Sequence, residues 1–170
     1  TVVVYTSDHG DMMGAHCMVE KGVMYEEASR VPWLMRIPQL GRKQRIVEQP
    51  VSHIDLVPTV LDALGRADAA AGLPGHSLLP FLQGGERKED HVFLQWNGTD
   101  PGDVLTRTVV SPDGWKLCLS INDKNQLFNL SEDPYETKNL FYTSAHQDVI
   151  DRLTQKIRAW QQSVGDTVKV

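Results

Sequence analysis

A chain of 170 residues that is 41% hydrophobic and 23% charged has the apolar content for one sizeable core or two small ones, which excludes a disordered chain. Its net charge of −5 gives no general basic surface and argues against nucleic acid as a partner. No run reaches the ~18 apolar residues of a membrane span, and no signal peptide is visible.

The chain opens at Thr1, directly before "VVVY", a run of β-branched and aromatic residues that reads as a sheet strand covered on both faces. An opening inside such a strand is expected of a piece of something longer. The strand gives way to a polar loop, Asp8 to Gly22, and then to "VMYEEASR", a short helix that must stop before Pro32. "VPWLMRIP" reads as a second buried strand, followed by the turn "QLGRKQ" and a short strand from Arg45 to Val51. "SHIDLVPTVLDALG" reads as a helix capped by Ser52 or Asp55 and closed by Gly65, with Val57, Leu61 and Leu64 on one face. The Gly- and Pro-rich segment from 66 to 90 is a long connection with one brief apolar patch.

The second half changes character. "HVFLQW", "TRTVVSP", "WKLCLS" and "QLFNLS" are four short strands separated by Asn-Gly, Pro-Asp-Gly and Asn-Asp turns, which implies an antiparallel meander. Val149, Leu153, Ile157, Trp160 and Val164 then recur at three- and four-residue intervals, an amphipathic helix that covers one face of the sheet. The fold expected is α/β: sheet and helices over 1–88, then a small α+β subdomain over 89–170 with a four-stranded antiparallel sheet and a terminal helix. Cys17 and Cys118 lie far apart in apolar contexts and read as two free buried thiols. Asn97-Gly98-Thr99 and Asn129-Leu130-Ser131 fit a glycosylation pattern that arises often by chance.

Chemistry concentrates in the first loop. Asp8 and His9 bring a carboxylate and an imidazole to the end of a strand, where both reach one hard divalent cation; a capped turn is the bland alternative. Lys21 carries a mobile ammonium suited to an oxyanion, or is a surface lysine beside Glu20. His16 is placed to donate to an oxyanion, to act as acid or base, or to hold the loop together.

"YTSDHGDMMGAHCMVEKGVMYEEASRVPWLMRIP" resembles the sulfatases of the alkaline phosphatase superfamily, in which a strand is followed by Ser-Asp-His-Gly, a histidine loop, Lys-Gly, a Tyr-Glu-Glu helix and Arg-Val-Pro. "VSHIDLVPTVLDALG", "LPGHSLLPFLQG", "TRTVVSPDGWKLCLS" and "LFNLSEDPYETKNL" resemble later landmarks of that family in the same order. The resemblance implies an alkaline-phosphatase-like sheet, Asp8 and His9 as two ligands of a divalent metal (Ca2+ before Mg2+ or Mn2+), Lys21 as the sulfate contact, and His16 as the loop histidine. The family has aspartate and glycine flanking that histidine, where this chain has Ala15 and Cys17. The formylglycine nucleophile, made in a Cys/Ser-x-Pro-x-Arg motif, has no counterpart here and is expected in a missing amino-terminal half.

The expected function is therefore that of the carboxy-terminal part of a sulfuric ester hydrolase, inactive alone, acting in the intact protein on a small or saccharide sulfate ester. Phosphonate or phosphate ester hydrolysis and a non-catalytic scaffold are the competing readings. Trp96, Trp115 and Tyr135 form a possible sugar-stacking face, against a core role, with Arg107 and Lys116 as possible substrate-facing residues. Compartment and oligomeric state are open.

Overall fold

The structure is a computed structural model that describes residues 1–41, 43–85 and 91–170. The expected boundary at residue 88 lies outside the described residues. The chain forms two compact units: Thr1–Ser7 with the described part of Pro32–Asp90, and Asp8–Val31 with His91–Val170. The polar loop and its helix thus belong to the same unit as the carboxy-terminal sheet.

In the first unit β1 (Val3–Thr6) pairs antiparallel with β2 (Trp33–Arg36), with Val3 opposite Arg36 and Thr6 opposite Trp33. β1 is not covered on both faces, since Val3, Val4 and Tyr5 are exposed and β2 is the one strand paired with it among the described residues. The expected strand from Arg45 to Val51 is irregular. Ile46 is 81% exposed, so no buried face holds that stretch in a pleat.

A helix does form at α2 (Leu56–Ala63), entered through a 3-10 turn over His53–Asp55. Neither expected cap makes a side-chain bond to the first turn. The Asp55 carboxylate instead accepts the His76 N–H at 2.9 Å, and the Thr59 hydroxyl accepts the Leu78 N–H at 2.9 Å. These bonds rotate the helix so that Pro58, Thr59 and Ala63 are its buried residues, while Val57 and Leu64 are exposed. The brief apolar patch of the long connection is the one-turn α3 (Leu79–Leu82).

The second unit contains α1 (Glu26–Ser29), a four-stranded antiparallel sheet of β3 (Val92–Trp96), β4 (Leu105–Val110), β5 (Trp115–Ile121) and β6 (Gln126–Asn129) in that order, and α4 (Gln147–Val164). The expected meander and terminal helix are both present. Side chains alternate across a strand, so the register Val109–Leu117–Leu127 defines one face and Thr108–Cys118–Gln126 the other. The first face is apolar and packs with Ile150, Leu153 and Ile157 of α4 in one cluster. The helical stripe therefore includes Ile150 and the buried Gln161, while Trp160 stacks on Phe93 at 5.3 Å and Val164 is exposed.

Arg107 fastens the end of α4 to β4. Its guanidinium donates to both carboxylate oxygens of Asp166, at 2.6 and 2.9 Å, and to the Trp96 carbonyl at 3.1 Å. The Asp166 carboxyl is held well below the usual carboxylate range, first by its bonds from Arg107, which outweigh the opposing effect of burial, and then by a weaker contribution from Gln161. A carboxyl depressed on folding stabilises the folded state above its unfolded pKa of about 3.9, and that contribution fades as pH falls through its folded value. In urea unfolding, Asp166→Asn is expected to be less stable than the parent at pH 7, with the gap closing progressively below about pH 4. An equal gap at pH 7 and pH 2 would contradict this.

Candidate active site

All four candidate residues lie in the loop that follows β1. The Asp8 carboxylate accepts the His9 backbone N–H at 2.9 Å, which folds the side chain back over the turn. His9 Nδ1 lies 2.8 Å from the Gly10 carbonyl oxygen. A carbonyl only accepts, so Nδ1 carries a proton, and in the neutral ring Nε2 keeps its lone pair. That lone pair is 3.5 Å from Asp8 Oδ2. Two acceptors meet at one point, the arrangement two ligands of a shared cation take up. Both side chains are open to solvent, and among the described residues no group of three His, Cys, Asp or Glu side chains gathers around an ion.

The turn is set by close packing against α1. Gly10 donates its N–H to the Ala28 carbonyl at 2.9 Å, and a Cβ at this position would stand 1.9 Å from the Glu27 carbonyl oxygen. Glycine lets the backbone approach that closely. Beyond it the loop closes on itself, with the Met12 N–H bonded to the Glu20 carbonyl at 2.8 Å and Met12 buried. The return limb brings Lys21 back past the loop stem. Its side chain is exposed and pairs with no carboxylate among the described residues. Gly22, with φ +98°, is laid against Trp96, whose ring would be 3.3 Å from an added Cβ.

Of the four candidates, the structure joins Asp8 to His9, whereas His16 packs on the residue that precedes α1. Its ring stacks on Tyr25 with centroids 3.9 Å apart and planes 13° from parallel. The Tyr25 hydroxyl accepts from Gln126 at 2.8 Å, and its phenol is pushed up chiefly by burial. Met13, His16, Cys17 and Glu20 all adopt positive φ without being glycine, and such clustered strain is characteristic of functional loops. Cys17 is exposed, not buried as its context suggests, because this backbone turns it outward. Its φ of +60° makes Cys17→Gly an expected stabilisation of about 0.5–1 kcal/mol, readable in thermal unfolding. A lower midpoint would show that the thiol contributes a contact. Cys118 is buried as expected, and burial, only partly opposed by Lys116, pushes its thiol up to about 11.

Sequence reasoning missed the group that holds α1. The Lys116 ammonium, fully buried, lies 2.9 Å from a Glu26 oxygen, 2.9 Å from a Glu136 oxygen and 3.4 Å from the Ser29 hydroxyl. The other Glu136 oxygen accepts the Glu26 N–H at 2.6 Å. Burial alone would depress the lysine, but Cys118, Glu26 and Glu136 together hold it above its ordinary value, and it stays charged. Lys116 and Arg107 are thus buried and paired, and neither faces a substrate. Trp115 packs against the apolar cluster, Trp96 packs on the Gly22 turn and Tyr135 is exposed, so these aromatics form no common stacking face.

The fold and this loop place the chain among the sulfatases and their superfamily relatives. A family model described as N-sulphoglucosamine sulphohydrolase, C-terminal, matches residues 14–163, and the chain belongs to that family. The uncharacterized sulfatase YidJ of Escherichia coli (strain K12) is 34% identical over 168 residues, covering 98% of this chain and 33% of that relative. The structure of a 2-O GAG sulfatase superposes with a TM-score of 0.88 at 27% identity, over 100% of this chain and 38% of that one. The phosphonate monoester hydrolase of Agrobacterium radiobacter superposes with a TM-score of 0.75 at 26% identity, over 94% of this chain and 35% of that one. The chain thus spans about a third of the length of these proteins.

Proposed function

We propose that this chain is the carboxy-terminal part of a sulfuric ester hydrolase and supplies part of its metal and sulfate site. The observation that carries the reading is the convergence of Asp8 Oδ2 and His9 Nε2 at 3.5 Å, with the tautomer fixed by the Gly10 carbonyl. Asp8 and His9 would hold a divalent cation, best Ca2+, whose chemistry is to polarise the sulfate oxygens. Lys21 offsets negative charge on those oxygens as the ester bond breaks. His16 serves the leaving alcohol as a proton donor, or else holds the loop; its stacking on Tyr25 favours the second role.

Two ligands bind a hard ion weakly, so the remaining ligands and the formylglycine nucleophile are expected from the upstream half of a longer protein. These 170 residues alone are expected to show no turnover. A sulfated saccharide is the substrate class suggested by the GAG sulfatase likeness. The likeness to a phosphonate monoester hydrolase keeps phosphorus esters as the second reading. Side-by-side rates of the longer protein on an aryl sulfate and a phosphodiester distinguish them. Faster sulfate hydrolysis is expected; phosphodiester cleavage without sulfatase activity would overturn the first reading.

A further inference from the structure

We propose that Lys116, Glu26 and Glu136 are positioning residues for the Asp8–His9 pair, acting through α1. The inference rests on the reading of that pair as a cation site. α1 has four residues and a single buried apolar side chain, Ala28. A helix of one turn does not persist by its own hydrogen bonds. Its place is set by the buried ammonium of Lys116, on interior strand β5, which meets acceptors from Glu26, Glu136 and Ser29. Glu136 adds the bond to the Glu26 N–H, and adopts a φ of +51° to do so.

From α1 the path to the site is two bonds long. The Ala28 carbonyl takes the Gly10 N–H at 2.9 Å, and the Gly10 carbonyl takes the His9 Nδ1 proton at 2.8 Å. A shift of α1 therefore turns the His9 ring, and with it the lone pair aimed beside Asp8. An apolar trio of the same volume would stabilise the unit as well or better, because buried ion pairs rarely repay their desolvation. Charged groups with directional bonds hold one orientation of α1, which an apolar contact does not. Outer partners that orient metal-ligating histidines are worth about 10–100-fold in metal affinity.

The test compares the longer protein with its K116M variant and with its charge-free triple variant E26Q/K116M/E136Q. Calcium affinity is read by calorimetry, and the His9 ring environment by NMR of the metal-free protein. K116M leaves two carboxylates buried without a cation, a strongly destabilising change, so the triple variant carries the comparison. The expected result is a triple variant that folds with a native-like melting midpoint, binds Ca2+ at least tenfold more weakly and shows displaced His9 resonances. Unchanged affinity and unchanged His9 resonances in the folded triple variant would overturn the inference, as would its failure to fold, which would make the trio a stability element. A parent protein that binds no Ca2+ would overturn the cation reading separately, and His9 resonances that stay put in the variants would overturn the positioning role whether or not metal binds.

Discussion

Replacing Asp8 with alanine is expected to lower sulfate-ester hydrolysis by the longer protein on the order of 10³-fold, while leaving its melting midpoint nearly unchanged. The separation follows from where the side chain sits. The Asp8 side chain is 84% exposed, and one bond it makes, to the His9 N–H, is local to the turn. Truncating so exposed a side chain costs the fold little. On the proposed reading it removes the charged ligand that this loop supplies, leaving His9 Nε2 and the upstream ligands to hold the ion. Steady-state rates at saturating Ca2+, set beside thermal unfolding, measure both quantities. Retention of more than a tenth of the activity would show that Asp8 is a turn residue and not a ligand.

Gly10→Ala is expected to do the reverse, lowering stability by about 3 kcal/mol or more and loosening the site as a consequence. The added methyl would meet the Glu27 carbonyl oxygen at 1.9 Å and its carbon at 2.9 Å. Both are backbone atoms that no rotamer change can clear. The loop and α1 must part, which breaks the Gly10 to Ala28 hydrogen bond. Gly14→Ala is the control: its φ is +99° but nothing lies within 4 Å of the added atom, so only backbone strain of about 1 kcal/mol is incurred. Urea unfolding of the two variants should differ by severalfold in lost stability. Equal losses would mean that the close approach at Gly10 is not what shapes the turn.

The elements built on strong local patterns were legible in the sequence. Turn signals on either side of "TRTVVSP" and "WKLCLS" and the three-and-four spacing of Leu153 and Ile157 marked a real sheet and a real helix stripe. Where the pattern failed, a long-range bond had intervened. Val57 and Leu64 look like the core face of α2, yet Asp55 and Thr59 bond to His76 and Leu78 and turn the helix about its axis. Ile46 and Val47 look like a strand but are exposed, with no covering layer among the described residues.

The site followed the same division. Asp8, His9 and Lys21 stood out as candidates because their residue types and order suggest the chemistry directly. The trio behind them did not, since Glu26 and Glu136 meet across 110 residues and Glu26 and Lys116 across 90. Lys116 stands in a strand where a lysine ordinarily points to solvent, and spacing gives no hint that two carboxylates wait for it. Both glutamates lay within stretches that resemble family landmarks, Tyr-Glu-Glu and Asp-Pro-Tyr-Glu, which marked them without giving a reason. The second compact unit supplies one: the polar face of the sheet, with Lys116, Gln126 and Trp96, is the bed on which the loop lies.

A crystal of the longer protein soaked with Mn2+ and a non-hydrolysable sulfate analogue, read by anomalous scattering, tests the central claim most directly. The expected result is one metal peak within bonding distance of both Asp8 Oδ2 and His9 Nε2, with the Lys21 ammonium on an oxygen of the analogue. A metal peak bound elsewhere, or an analogue bound with Lys21 turned away from it, would contradict the account.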